Sequence, residues 1–235
     1  MTGSVRKATL LAVCGLLTAS AAFAGVPSAG TSSLNGLFIR LGSTNNSAVV
    51  EPQVDKNIVV RDALGGVVQN STVEIRFGTC TSTGEFRLCG TQPHAGVGVS
   101  CVDKAVVAVT DASGVANFRV VGHALNVGGG TSGAPAAGLG NVQCAEVRAD
   151  GVVLGSLRVK AFDQNGAAGV NAVDVSLVLN DRFSVVGGPF SASYRSRSDF
   201  NDDGFVNPVD LSTELNVRFS NASLNSCAAL SVCAP

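Results

Sequence analysis

The chain has no tryptophan and a single tyrosine, Tyr194, in 235 residues. The flat aromatic faces on which sugar rings stack are therefore scarce, which argues against a carbohydrate-binding platform of that kind. Charge is sparse too, at 14% Asp, Glu, Lys and Arg with a net charge of -1 and no basic run. That excludes a nucleic-acid partner, because neutralising phosphates takes clustered Lys and Arg. The two histidines, His94 and His123, stand apart in loop-like sequence and read as surface residues. There is no C-x-x-C pair for zinc, no G-x-S-x-G for a nucleophilic serine, and no Lys after the glycine-rich run 128–133 that a phosphate cradle would need. The glutamates Glu51, Glu74, Glu85, Glu146 and Glu214 form no motif for a two-carboxylate glycosidase. The chain therefore reads as non-catalytic. Past its first residues it has no apolar stretch of eighteen, so no membrane-spanning helix is expected.

The N-terminus reads as an export signal. Arg6 and Lys7 precede an apolar run from Ala8 to Phe23, and Ala22-Phe23-Ala24 offers a cleavage site before Gly25. The mature chain would hold about 211 residues, secreted or displayed at the cell surface. A lipoprotein signal ending at Cys14 is the weaker alternative, because Val13 is bulky for that cleavage and the apolar run continues beyond it. Without Cys14, six cysteines remain: Cys80, Cys89, Cys101, Cys144, Cys227 and Cys233. An even set in an exported chain is expected to form disulfides. Cys227 and Cys233 are close enough to close a small terminal loop, and that pairing is the one expected here.

Period-two alternation dominates the middle of the chain. In 72–77, Val73, Ile75 and Phe77 fall on one face of an expected strand, and 115–120 repeats the pattern with Ala116, Phe118 and Val120. Alternation also marks 156–161 and 173–179, and further strands are expected over 36–41, 57–61, 105–110 and 145–148. Asp-and-Gly turns separate them, as in Asp62 to Gly66, Asp111 to Gly114 and Asp163 to Gly166. The segments VVRDALGGVVQNSTVEI and VKAFDQNGAAGVNAVDVSL echo one another about one hundred residues apart, which leaves open a duplicated β unit starting near 159. The run from VVRDALGGVVQNSTVEIRF to VTDASGVANFRV resembles bacterial immunoglobulin-like domains of the invasin and intimin type. The resemblance covers roughly 50–183 and implies a mainly β, immunoglobulin-like β-sandwich.

One stretch breaks the low-charge rule: SDFNDDGFVNPVDLS, residues 198–212, carries four aspartates, two asparagines and a glycine. Asp199, Asn201 and Asp203 alternate, Gly204 is sixth, Phe205 is seventh, Asn207 is ninth and Asp210 is twelfth. This is the ligand order of an EF-hand-type loop for Ca2+, a hard cation that takes six to eight oxygens from a chain turned sharply at glycine. The expected ligands are the side chains of Asp199, Asn201, Asp203, Asn207 and Asp210 with the Phe205 carbonyl. Aspartate in place of glutamate at the twelfth position resembles the calcium loop of dockerins, which plug secreted proteins into cohesins. That resemblance implies a cohesin-like partner, with Pro208 and Val209 at positions that help recognise it. A single loop of this kind is read. Leu211, Leu215 and Phe219 form an apolar stripe on the helix expected to follow. The expected organisation is a signal peptide over 1–24, a β-sandwich over 25–183, a linker over 184–198, a calcium loop and helix over 199–220, and a cysteine-bearing tail over 221–235. The expected function is a secreted calcium-binding structural, adhesive or scaffold-associated module. The alternative is an accessory, carbohydrate-binding or weakly hydrolytic component of an extracellular polysaccharide-degrading assembly.

Overall fold

The computed structural model describes residues 25–42, 44–45, 48–49, 55–78, 86–92, 94–124, 144–166, 169–183, 198–219 and 233. The expected signal segment, the glycine-rich run 128–133, Cys80 and Cys227 lie outside the described residues. The strands in chain order are β1 (Phe38–Gly42), β2 (Thr44–Asn45), β3 (Ala48–Val49), β4 (Asp55–Val59), β5 (Thr72–Arg76), β6 (Phe86–Leu88), β7 (Gly98–Ser100), β8 (Ala105–Val109), β9 (Val115–Ala124), β10 (Ala145–Ala149) and β11 (Val152–Ala161). Two helices follow, α1 (Ala172–Asp181) and α2 (Pro208–Phe219). The protein is mainly β, and no helix among the described residues is long and apolar enough to cross a membrane.

Alternation sets which face of each strand is buried. Val73 and Ile75 of β5, Ala116 and Val120 of β9 and Leu157 of β11 are all 0% exposed, while Glu74, Asn117 and Arg119 turn outward. Eight strands hydrogen-bond in the order β4-β9-β1-β11-β10-β5-β8-β7, and β6 pairs with the far end of β9. β1 runs parallel to both β9 and β11, and the other pairs in this path are antiparallel.

A turn shows how this sheet closes on its core. β8 and β9 stand five places apart in the strand order, which in a flat sheet would be about 24 Å at about 4.8 Å per strand. Yet they are joined by a tight turn in which the Gly114 N–H donates to the Asp111 carbonyl at 2.9 Å and the Asp111 N–H to the Val115 carbonyl at 3.0 Å. The sheet therefore cannot be flat, and the turn brings β8 against β9. One apolar cluster unites the strands, drawing Ile58 from β4, Phe118 from β9, Ile39 from β1, Val147 from β10, Ile75 from β5 and Val106 from β8.

The outer face of the central strands is covered as well. A second cluster joins Cys89 and Val121 to Phe162, Val170, Val178, Phe200, Val206 and Val217, with Leu211 packed against it. Residues 162–183, which the sequence placed at the end of the β region, thus share a core with 198–219.

The structure corrects several expectations. Residues 173–179 lie in a helix, not a strand, so among the described residues the segment beginning near 159 does not repeat the β pattern there. On α2 the buried residues are Asp210, Glu214 and Val217, while Phe219 of the expected stripe is 71% exposed. The buried side of the helix is thus offset from the expected stripe, of which Leu211 packs against the second cluster. His123 is buried, at 5% exposure, and does not lie on the surface. Cys233 pairs with Cys101, across 132 positions, in place of Cys227. The Cys233 N–H donates to the Leu88 carbonyl at 3.0 Å, so the backbone already holds this cysteine against the β domain. Cys89 and Cys144 are disulfide-bonded too. Closing the Cys101–Cys233 loop restricts the unfolded chain by about 5 kcal/mol in the chain-entropy account.

Gly114 carries the closing turn at φ +73, and a Cβ added there would meet the Val60 carbonyl at 2.8 Å and the Arg61 guanidinium at 2.6 Å. Both the left-handed backbone and the close approach require glycine. Gly114→Ala is expected to destabilise the protein by about 2 kcal/mol or more, read as a lower urea midpoint with an unchanged denaturant slope; a midpoint equal to the parent's would show that this turn does not constrain the fold.

Candidate metal centre

The loop from Asp199 to Asp210 is wound by its own polar side chains. Asp199 Oδ1 accepts the Asp203 N–H at 3.2 Å and Oδ2 accepts the Gly204 N–H at 3.0 Å. Asn201 Oδ1 accepts the Asp203 N–H at 3.1 Å, and Asp203 Oδ1 accepts the Phe205 N–H at 2.9 Å. The side-chain amides of Asn201 and Asn207 both donate to Asp203 Oδ2, at 2.9 and 3.1 Å. Asp210 reaches back from the first turn of α2, with Oδ1 accepting from the N–H groups of Phe200 at 2.7 Å and Asn201 at 3.3 Å, and Oδ2 from Asn207 at 2.9 Å. Asp202 and Gly204 take positive φ, +62 and +88, and these two left-handed residues make the sharp bend. The five side chains expected as ligands are thus gathered on one loop, with Phe205 on the same turn. Phe205 itself is 52% exposed.

The structure brings a second loop beside the first, and the sequence reading missed it. Offset by 36 positions, VNAVDVSLVLNDRF (170–183) and VNPVDLSTELNVRF (206–219) are identical at nine of fourteen residues. The same offset sets Asp163 against Asp199, Asn165 against Asn201, Asn171 against Asn207 and Asp174 against Asp210. The hydrogen bonds repeat in kind. Asp174 Oδ1 accepts from the N–H groups of Gln164 at 2.7 Å and Asn165 at 3.2 Å, and Oδ2 from Asn171 at 2.8 Å. Asp163 Oδ1 accepts the Gly166 N–H at 2.7 Å. In both copies an asparagine caps the helix, Asn171 Oδ1 accepting from Val173 N–H and Asn207 Oδ1 from Val209 N–H, each at 2.8 Å. The aspartate three residues on closes the capping box. α1 and α2 pack on each other, and the Phe183 N–H donates to the Val206 carbonyl at 2.7 Å, stitching the end of one copy to the loop of the other.

The copies differ where the chemistry is most demanding. The fifth position is Asp203 in the later loop and Ala167 in the earlier one, and the sixth is Gly204 against Ala168. The earlier loop therefore offers two carboxylates and the later loop three. Inside the module, Val178 and Asp181 of α1 correspond to Glu214 and Val217 of α2, so an acid and a valine exchange places between the buried positions.

Cations on the sheet meet the later loop. Arg158 makes a bidentate pair with Asp202, its Nε lying 2.7 and 3.0 Å from the two carboxylate oxygens, and Lys160 Nζ is 2.8 Å from Oδ1 of the same residue. Arg40 Nε donates to the Phe200 carbonyl at 2.7 Å. Lys160 is 0% exposed, and burial pulls its pKa down while the charges of Asp199 and Asp202 pull it back up. Burial pushes Asp202 upward, but the hydrogen bonds and charges of Arg158 and Lys160 outweigh it and leave the carboxyl below its usual range. Asp210 is raised by burial, with the charge of Asp199 adding to the effect. The earlier loop meets β9 instead. Ala124 N–H donates to the Asp163 carbonyl at 2.8 Å, and Gly166, at φ +71, leaves no room for a side chain beside the His123 ring.

Among the described residues no group of three or more His, Cys, Asp or Glu side chains is gathered so that it could hold a metal ion as it stands. The carboxylates of both loops are turned onto backbone N–H groups. The donors nonetheless fit a hard divalent cation by type and order: they are all oxygen, they alternate along the chain, and the later loop bends at a left-handed glycine. Comparison with protein-family models, with curated proteins and with solved structures returns no match.

Burial and the neighbouring Asp163 carboxylate raise the pKa of Asp174 to about 6. In the unfolded chain an aspartate titrates near 3.9. Between these values the unfolded state ionises and the folded state does not. The contribution of Asp174 is therefore full below about pH 4 and is lost as pH rises through about 6. In chelator, urea unfolding of the parent should show this decline relative to Asp174→Asn across that window; parallel pH profiles would show that Asp174 titrates normally.

Proposed function

We propose that the protein is an exported, non-catalytic calcium-binding module in which an immunoglobulin-like β-sandwich carries a dockerin-like pair of calcium loops. The observation that carries this reading is the duplication itself. Two loop-helix units repeat four of the five side-chain oxygen donors at the same spacing, with the same caps and the same bonds from the last aspartate to the backbone, and their helices pack together. A lone acidic turn needs no partner copy, whereas paired loops share a core and stabilise one another. In the later loop Asp199, Asn201, Asp203, Asn207 and Asp210 would hold the ion with the Phe205 carbonyl. In the earlier loop Asp163, Asn165, Asn171 and Asp174 would do so with the Gly169 carbonyl. Bound calcium supplies positive charge that the carboxylates otherwise meet only with N–H dipoles and neighbouring cations.

The exposed residues support a docking role. Val173 and Val209 occupy equivalent positions and are 50% and 55% exposed, and Phe183 and Phe219, also equivalent, are 69% and 71% exposed. Each phenylalanine lies under the guanidinium before it, Arg182 and Arg218 at 5.5 Å in both cases. Apolar side chains that stay exposed in both copies, while buried positions between them have changed, suit a surface that meets another protein. A cohesin-like extracellular protein is the partner this reading favours.

Titration calorimetry of the full mature chain with calcium is expected to show two sites with dissociation constants of roughly 10⁻⁶ to 10⁻³ M. The later loop should be the tighter, because it supplies the additional carboxylate of Asp203. Asp199→Ala should remove one site and Asp163→Ala the other, each leaving its companion measurable. Absence of any calcium-dependent heat in the parent would overturn the reading.

A further inference from the structure

Residues 25–33 pack on the turn 62–66 beside an oxygen that the turn itself does not use. Asp62 opens this turn, and its Oδ1 accepts the N–H groups of Leu64 at 2.9 Å and Gly66 at 2.8 Å. Asp111 Oδ1 does the same work at its own turn, accepting from Ser113 at 2.8 Å and Val115 at 3.0 Å. One side-chain oxygen therefore serves such a turn, and an asparagine would supply it as well. At Asp62 the second oxygen is walled by two glycines. A Cβ added at Gly25 would stand 2.5 Å from Oδ2, and one added at Gly66 would stand 2.7 Å from it. A residue's backbone nitrogen lies about 2.5 Å from its Cβ position, so the Gly25 nitrogen is within about 5 Å of Oδ2. The segment is held there by the Ser28 N–H donating to the Arg61 carbonyl at 2.8 Å and the Thr31 hydroxyl to the Asp62 carbonyl at 2.6 Å. Ser33 and Val59 exchange backbone bonds at 2.9 and 2.8 Å. Among the described residues no lysine or arginine forms an ion pair with Asp62. The adjacent Arg61 instead donates from Nη1 to the carbonyls of Val60 at 3.1 Å and Ser113 at 2.9 Å.

We propose that Asp62 is the docking group for a processed N-terminus: hydrolysis of the Ala24–Gly25 bond creates an α-ammonium on Gly25 that pairs with Asp62 Oδ2, an ion pair the uncleaved chain cannot make. It rests on the reading of residues 1–24 as an export signal and is independent of the calcium sites. Water adds across the amide, leaving a carboxylate on Ala24 and an amine on Gly25 that takes up a proton near neutral pH. Before cleavage the same nitrogen is a neutral amide, so the charge arrives only with processing. An opposite charge within about 4 to 6 Å favours the ionised form of both partners. Glycine at position 25 then serves two ends. A small residue suits the cleavage site, and any side chain would collide with the Asp62 carboxyl group. Processing thus fastens the new chain end to the corner where the turns at 62–66 and 111–114 are joined through Arg61.

Intact mass of the exported protein is expected to place its first residue at Gly25; a different first residue would overturn the assignment and leave the calcium reading standing. In protein that begins at Gly25, the rate of acylation of the α-amine, read on the N-terminal peptide by mass spectrometry across a pH series, reports its pKa. That value is expected about half a unit or more above the ordinary range of about 7.7–8.0 for an α-amino group. Asp62→Asn keeps an oxygen for both turn N–H groups and should return the amine to that range. Arg61 and Asp111, the other charges of this corner, are the same in both proteins, so the difference isolates Asp62. A parent value inside the ordinary range would overturn the proposal without any variant, and so would equal values in the parent and Asp62→Asn. Should the variant not fold, about 1 M salt is the second test: it should bring the parent's amine back toward the ordinary range, and an elevation that ignores salt would overturn the ion pair.

Discussion

Strands buried on both faces set the terms for the rest of the molecule. β1, β9 and β11 press Ile39, Phe118 and Val159 into the main apolar cluster, and their other faces carry Val121, His123 and Lys160, all buried as well. A valine on that face needs apolar cover, and a lysine there needs an anion, since an unpaired buried charge is far costlier than any contact it displaces. Both demands are met by one piece of chain. Phe162, Val178, Phe200 and Val217 cover Val121, and Asp202 meets Lys160 and Arg158. Such buried pairs add little net stability because desolvation consumes most of the attraction. Their effect is to fix position: an apolar surface alone would let the module slide, and a bidentate guanidinium contact does not.

The module caps its helices with the same atoms that the proposed ion sites would use. Asn171 and Asn207 end their loops by capping the helices, and Asp174 and Asp210 sit where an acid completes a capping box. The carboxylate nearest each helix start is thus a cap in one description and the last oxygen of a calcium loop in the other. The N-terminal end of the helix dipole favours negative charge in either role. This economy would tie ion binding to helix formation, because whatever orders the aspartate also orders the first turn behind it.

Much of the β domain was legible from alternation, since period two survives wherever one face is buried and the other is wet, as in β5. Legibility failed where a segment served two masters. Val173, Val175, Leu177 and Leu179 alternate perfectly and read as a strand, yet Asn171 and Asp174 cap a helix, and the cap together with the packing of α1 on α2 decides the outcome. The signal that could have found the earlier loop was present in V-N-x-V-D and L-N-x-R-F, shared by both copies. Ala167 and Ala168 hid it, because they stand where a ligand-by-ligand reading looks for aspartate and glycine. The six expected donors of the later loop do lie on one loop, and what no local pattern could disclose was the company they keep. Arg40, Arg158 and Lys160 come from strands far away in sequence, as does the Cys101 that takes Cys233 from its near neighbour.

That disulfide also determines how the molecule would carry load. The chain leaves the β domain at the end of β11, runs through both loops and both helices, and is bonded back to the β domain at Cys101. Everything between is a covalently closed loop with both ends on the β domain. Tension applied beyond Cys233 passes through the sulfur bridge into the turn before β8 and never reaches α1 or α2. A partner seated on the helices would be shielded from that pull, and force borne by the partner itself would enter the sheet through β11 and the Asp202 contact.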